Sequence, residues 1–197
     1  KKIILEVGNR FEKMNYEIIY GDTDSCFIKM TDKTIDDVKD DVGIINKEFK
    51  EYFKQFGVEE KNNIFKLEFE KVYKRVFFKQ KESGEGAKKR YAGWKIWDGK
   101  DCDEIDIKGF ESRRSDTPTI GRVFIKKVLE MVVKGGSEQE VNQYVQSFKQ
   151  QVKVGQIPIE DLALPVGINR PLESYKNEMH IRACRLANKI HKANIKS

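Results

Sequence analysis

Two apolar segments close on an acidic turn: Ile18-Ile19-Tyr20, then Gly21-Asp22-Thr23-Asp24, then Ser25-Cys26-Phe27-Ile28. The pattern predicts short strands over Tyr16–Tyr20 and Ser25–Met30 around a tight turn. The turn holds two carboxylates two residues apart. Like charges this close repel, and turn chemistry does not require both. A divalent cation removes the conflict, and hard oxygen donors suit Mg²⁺, which binds few carboxylates and keeps water and substrate phosphates. Phosphoryl and nucleotidyl transfer use two such ions. An Asp-rich hairpin turn without an ion is the other reading. A calcium loop of the EF-hand kind is a poor alternative, because Cys26 and Phe27 stand where it needs a ligand and a glycine. Glu68 and Glu70 form a second pair on one face of a strand, either solvated surface or an accessory to a metal.

Helical spacing of Ile3, Ile4, Val7, Phe11 and Met14 predicts a helix over residues 1–14, with Asn15 as its stop. Thr34, with Asp36 and Asp37 behind it, starts a second helix that lines up Val38, Val42, Ile45, Phe49 and Phe53 and ends at Gly57. From Ile64 the period changes to two. Phe65, Leu67 and Phe69 then share one face of a strand, and Lys66, Glu68 and Glu70 the other. Strands are expected over Tyr73–Lys79, Arg90–Trp97 and Glu104–Phe110, with Gly84, Gly86 and Asp98-Gly99 at the turns. Helices follow. Pro118 stands near the first, Ser137 and Glu140 form a capping box for the second, and the last begins near Glu178. Pro158, Pro165 and Pro171 break the stretch between them. The sequence therefore predicts an α+β fold: a mixed part, then a mainly helical one, without internal repeats.

Charge divides along the same line. Residues 1–70 carry 12 Lys and Arg against 16 Asp and Glu, a net of −4; residues 71–197 carry 26 against 16, a net of +10. A basic second part fits a polyanion such as nucleic acid, or simply a solvated face. Between 71 and 95 the cations Lys71, Lys74, Arg75, Lys79, Lys81, Lys88, Lys89, Arg90 and Lys95 interleave with Tyr73, Phe77, Phe78, Tyr91 and Trp94. On strands, this can aim cations at phosphates without reading sequence, or form an ordinary β-ribbon over core aromatics. Three widely spaced cysteines argue against a disulfide scaffold and for reduced thiols in an intracellular, cytoplasmic protein. No apolar run reaches the roughly 20 residues that span a bilayer, so no membrane is expected. Glu6 and Arg10 interrupt the start too soon for a signal peptide. His180 and His191 have no partner at metal-ligand spacing, and no Ser/His/Asp or Cys/His arrangement stands out.

Taken together, these motifs resemble family B DNA polymerases, most closely those of archaea. Tyr20-Gly21-Asp22-Thr23-Asp24-Ser25 is similar to the family's third polymerase motif, on a hairpin of the palm. Lys88-Lys89-Arg90-Tyr91-Ala92-Gly93 resembles its duplex-contacting motif. Residues Leu67 to Arg75 are similar to the palm strand before that motif. Gly109-Phe110-Glu111 with Arg113-Arg114-Ser115-Asp116 resembles the passage into the thumb.

The resemblance implies an antiparallel-sheet palm portion with flanking helices over 1–80, then a helical thumb over 81–197, the boundary falling between 80 and 112. It implies Asp24 as the direct metal ligand, Asp22 as a supporting carboxylate and Glu70, less so Glu68, near a two-ion Mg²⁺ site. Lys88, Lys89, Arg90 and Tyr91 would grip the primer–template duplex, with Arg113 and Arg114 farther back. Deoxynucleoside triphosphates would be the other substrate. The family's first and second polymerase motifs and its exonuclease region have no counterpart here. The expectation is therefore a carboxyl-terminal portion, inactive alone. The remainder would be a separate chain or a missing amino-terminal part. A noncatalytic DNA-clamping subunit of the same fold is the alternative. A metal-dependent nuclease would also use paired carboxylates.

Overall fold

The computed structural model describes residues 2–80, 82–83, 86–110, 117–164, 166–176, 178–193 and 195, without the side chains of Glu60 and Lys88. The chain divides into two units. One comprises Lys1–Lys74, Lys79–Lys89 and Lys95–Glu104; the other comprises Arg75–Phe78, Arg90–Trp94 and Ile105–Ser197.

In the first unit, α1 (Lys2–Lys13) ends as the sequence predicts. Asn15 takes the left-handed conformation, φ 64°. The amides of Asn15 and Tyr16 then reach back to the carbonyls of Glu12 and Phe11, both at 3.0 Å. The rings of Phe11 and Tyr16 close this Schellman-type stop with an edge contact at 5.3 Å. Strands β1 (Glu17–Gly21) and β2 (Cys26–Lys29) pair antiparallel. Helix α2 (Ile35–Lys54) starts on a capping box between Thr34 and Asp37. It buries Val38, Val42, Ile45 and Phe49 against Val7, Phe11 and Tyr16.

The segment from Ile64 to Glu70 keeps its alternation but joins no strand. Phe65, Leu67 and Phe69 pack on the core while Lys66, Glu68 and Glu70 are exposed. In place of a neighbouring strand, the Asn46 amide grips Leu67. It donates to the Leu67 carbonyl at 2.9 Å and accepts from its N–H at 2.8 Å. A side-chain amide presents the same donor and acceptor pair as a strand backbone, so the chain can be extended here without a sheet.

Strands β3 (Val72–Gln80), β4 (Gly86–Trp97) and β5 (Asp101–Lys108) form a second sheet in that order. Their connections are too short for a parallel crossover, so the pairing is antiparallel. Gly99 at φ 84° makes the last turn tight enough for β5 to begin at Asp101, earlier than expected.

The second unit has its own core of Ala92, Ile107, Phe110, Leu129 and Val133. Helix α3 (Thr119–Lys134) follows Pro118 and ends at Gly135, φ 89°. The Arg75 guanidinium lies so close to Gly135 that a Cβ there would meet it. Helix α4 (Glu138–Lys153) opens on the Ser137–Glu140 capping box. It packs on α3 through Phe124, stacked on Tyr144 at 5.8 Å and on Phe148 at 4.4 Å. A short α5 (Ile159–Leu162) precedes α6 (Met179–His191). There Ile181 is buried, and Arg185 donates to the carbonyls of Leu172, Tyr175 and Lys176. Cys26, Cys102 and Cys184 are free thiols. Among the described residues no helix is long and apolar enough to cross a membrane.

One polar cluster braces the first unit. The Tyr16 hydroxyl and the Lys33 ammonium both donate to Asp41 at 2.6 Å, and Lys33 lies 4.2 Å from the Tyr16 ring centre. Burial, then Asp41, pushes Tyr16 up to about 12. Lys33, then Tyr16, holds the Asp41 carboxyl below its usual range. The stabilisation is therefore complete above the unfolded value of about 4 and is lost as pH falls through the folded one. Asp41→Asn is expected to lower stability at neutral pH by about 1–2 kcal/mol. It should also flatten the fall of the urea midpoint below pH 4. An acid limb identical to wild type would exclude this role.

Candidate functional site

Strand register places the acidic turn. Ile18 pairs with Ile28 and Tyr20 with Phe27, so Ile19 is an extra, bulged residue. The bulge brings Tyr20 opposite Phe27, their rings 5.7 Å apart edge to face. Phe27 in turn stacks on Tyr73 at 5.8 Å. This aromatic relay supports a tip whose ends are closed by Asp22 N–H donating to the Ser25 carbonyl at 2.9 Å.

The two aspartates occupy different surroundings. Asp22 Oδ1 accepts from the Thr23 N–H at 2.8 Å and from its hydroxyl at 3.2 Å. Its other oxygen, Oδ2, faces the Lys89 ammonium at 3.7 Å, and the Asp22 side chain is only 19% exposed. Asp24 is exposed. One carboxylate is thus fixed by its neighbours and the other is open to an incoming ligand. Hard, paired oxygens fit Mg²⁺ chemistry, but two carboxylates alone do not enclose an ion. Among the described residues no three acidic, His or Cys side chains gather to hold a metal. Glu70 is exposed and is not gathered with Asp22 and Asp24. Glu68 is engaged by Lys66 at 2.5 Å, which holds its carboxyl below the usual range.

The basic stretch is tied to this turn by its backbone. The Lys89 N–H donates to the Tyr20 hydroxyl at 2.9 Å, joining positions 69 residues apart. Lys89 and Arg90 are exposed; Tyr91 is half-buried, its ring 5.9 Å from Phe78. The side chain of Lys88, and Arg113 and Arg114 entirely, lie outside the described residues. Lys95 is withdrawn from the basic set. It pairs with Asp98 and with Glu104, the latter at 2.8 Å, and these carboxylates raise its pKa. Sequence reasoning gave Tyr20 no role of its own. Its hydroxyl carries no sequence signal, because its partner is a backbone amide on a distant strand.

The model of DNA polymerase family B matches residues 2–197. The chain is 32% identical over 187 residues to DNA polymerase 2 of Aeropyrum pernix, covering 94% of this chain and 20% of that protein. It is 27% identical over 178 residues to the DNA polymerase alpha catalytic subunit of Arabidopsis thaliana, covering 86% of this chain and 11% of the relative. The solved family B DNA polymerase of Pyrobaculum calidifontis superposes with a TM-score of 0.57 at 25% identity, over 96% of this chain and 21% of that one. The chain therefore spans about a tenth to a fifth of the length of the proteins it matches.

Proposed function

The chain belongs to DNA polymerase family B, and from that premise we propose that it is the carboxyl-terminal palm and thumb portion of a DNA-directed DNA polymerase. In this reading residues 1–80 are the palm part and 81–197 the thumb, the boundary falling between 80 and 112. The observation that carries the proposal is the pairing of the two motifs. An acidic hairpin tip is held by hydrogen bond and charge against the strand that bears the Lys88-Lys89-Arg90-Tyr91 run. A metal-holding tip and a duplex-holding strand must be neighbours if a primer end is to reach the ions.

Asp24 would bind Mg²⁺ directly, Asp22 would support it, and Glu70 would lie in the outer acidic surroundings. Bound there, such ions would supply Lewis-acid chemistry for attack of the primer 3′-hydroxyl on the α-phosphate of a deoxynucleoside triphosphate with loss of pyrophosphate. Thr23 fixes the orientation of Asp22, leaving Asp24 as the exposed ligand oxygen donor. Lys88, Lys89 and Arg90 would hold backbone phosphates of the primer–template duplex, with Tyr91, whose ring lies beside Phe78, following them and Arg113 and Arg114 acting farther along. The remaining metal ligand and the triphosphate-contacting helix would come from the rest of the polymerase, on the same or a separate chain. The Lys89–Asp22 contact would equally suit a metal-free duplex clamp, and the first experiment separates the two.

In the assembled polymerase, Asp24→Ala is expected to abolish primer extension while duplex affinity changes less than about twofold. Normal extension by that variant would reject the catalytic reading and leave the clamp. Replacing Lys88, Lys89 and Arg90 together by Ala should reduce the slope of log affinity against log salt by about 2.7, or 0.9 per phosphate contact. An unchanged slope would show that these side chains do not touch phosphates.

A further inference from the structure

Lys89 has a backbone that lysine rarely adopts. Its φ of 59° is left-handed, inside β4, a conformation that disfavours residues with a Cβ. The Tyr20 hydroxyl accepts its N–H there at 2.9 Å. From this position the ammonium reaches Asp22 Oδ2, 3.7 Å away, while Thr23 occupies Oδ1. The lysine side chain is 71% exposed, so the same group is open to a phosphate from solvent. One cation thus stands between the acidic tip and the surface that would meet DNA.

Building on the reading above, we propose that Tyr20 and Lys89 are positioning residues that couple duplex binding to metal binding. Without DNA, the Lys89 ammonium serves as the counter-ion of Asp22 and opposes a divalent cation beside it. A duplex phosphate draws the ammonium away and leaves Asp22 free to support the metal. An ion pair with its ammonium in solvent and 3.7 Å from the carboxylate is loose enough to exchange in this way, and phosphates arrayed along a duplex compete strongly for lysine. Coupling of this kind is reciprocal: a metal at the tip also releases Lys89 to the duplex. Tyr20 contributes by holding the left-handed backbone that aims the side chain.

Iron(II)-directed backbone cleavage, with ascorbate and peroxide, reads metal occupancy at the tip itself in the assembled polymerase. In DNA-free protein, Lys89→Met and Tyr20→Phe should each lower the Fe²⁺ concentration for half-maximal cleavage between residues 20 and 26 by about threefold to fivefold. Added duplex should then sharpen cleavage less than in wild type. Lys89→Arg should restore wild-type behaviour. Tyr20→Phe keeps every charge, so its shift reports positioning and not the removal of a cation. Lys29→Met, which removes an ammonium paired with Glu17 at 3.0 Å on the same hairpin, should leave the midpoint unchanged. Wild-type midpoints in Lys89→Met and Tyr20→Phe, with cleavage still abolished by Asp24→Ala, would overturn the coupling alone. An equal shift in Lys29→Met would also overturn it. Cleavage that persists in Asp24→Ala would overturn the metal assignment and the coupling with it.

Discussion

Two carboxylates two residues apart on a tight turn must be reconciled by something the chain itself provides. Here the burden falls unequally. Asp22 is satisfied by the Thr23 amide and hydroxyl and faced by Lys89, whereas Asp24 remains exposed. The division depends on a long-range contact, the Lys89 amide donating to Tyr20. That contact depends in turn on the bulge at Ile19, which brings Tyr20 opposite Phe27. A slip of one residue in this hairpin would turn the Tyr20 ring to the other face and break the tie between the two motifs.

Much of the scaffold was legible because its signals are local. The helix start at Thr34, the Ser137 capping box and the Asn15 stop each follow from residues within one turn of the helix end. Spacing alone gives the buried Val7 and Phe11 of α1 and the buried Val38, Val42, Ile45 and Phe49 of α2, whereas Ile3, in the same α1 pattern, is exposed. Residues 64–70 show the boundary of such reading. Alternation put Phe65, Leu67 and Phe69 on one face, and that face packs on the core, yet the period cannot say whether a strand or a single asparagine satisfies the backbone. Lys95 makes the same point for charge, since its partners Asp98 and Glu104 become neighbours only once the hairpin folds.

At the site, the residue types were readable and their relationship was not. The acidic turn and the basic run are both plain in the sequence. Their contact rests on a lysine in left-handed conformation, where sequence rules would look for glycine or asparagine. The described residues furnish two close carboxylates and no third, and the chain covers about a fifth of an archaeal relative. Two carboxylates with no third gathered beside them among the described residues are compatible with the proposal that the site is completed by other residues of a polymerase.

The most direct measurement is a structure of the assembled polymerase with primer–template, a non-hydrolysable triphosphate and Mg²⁺. An Asp24 carboxylate oxygen is expected at about 2.1 Å from an ion that also touches the triphosphate, with Lys89 turned from Asp22 towards a duplex phosphate. An ion-free turn lying away from the primer terminus would contradict the account.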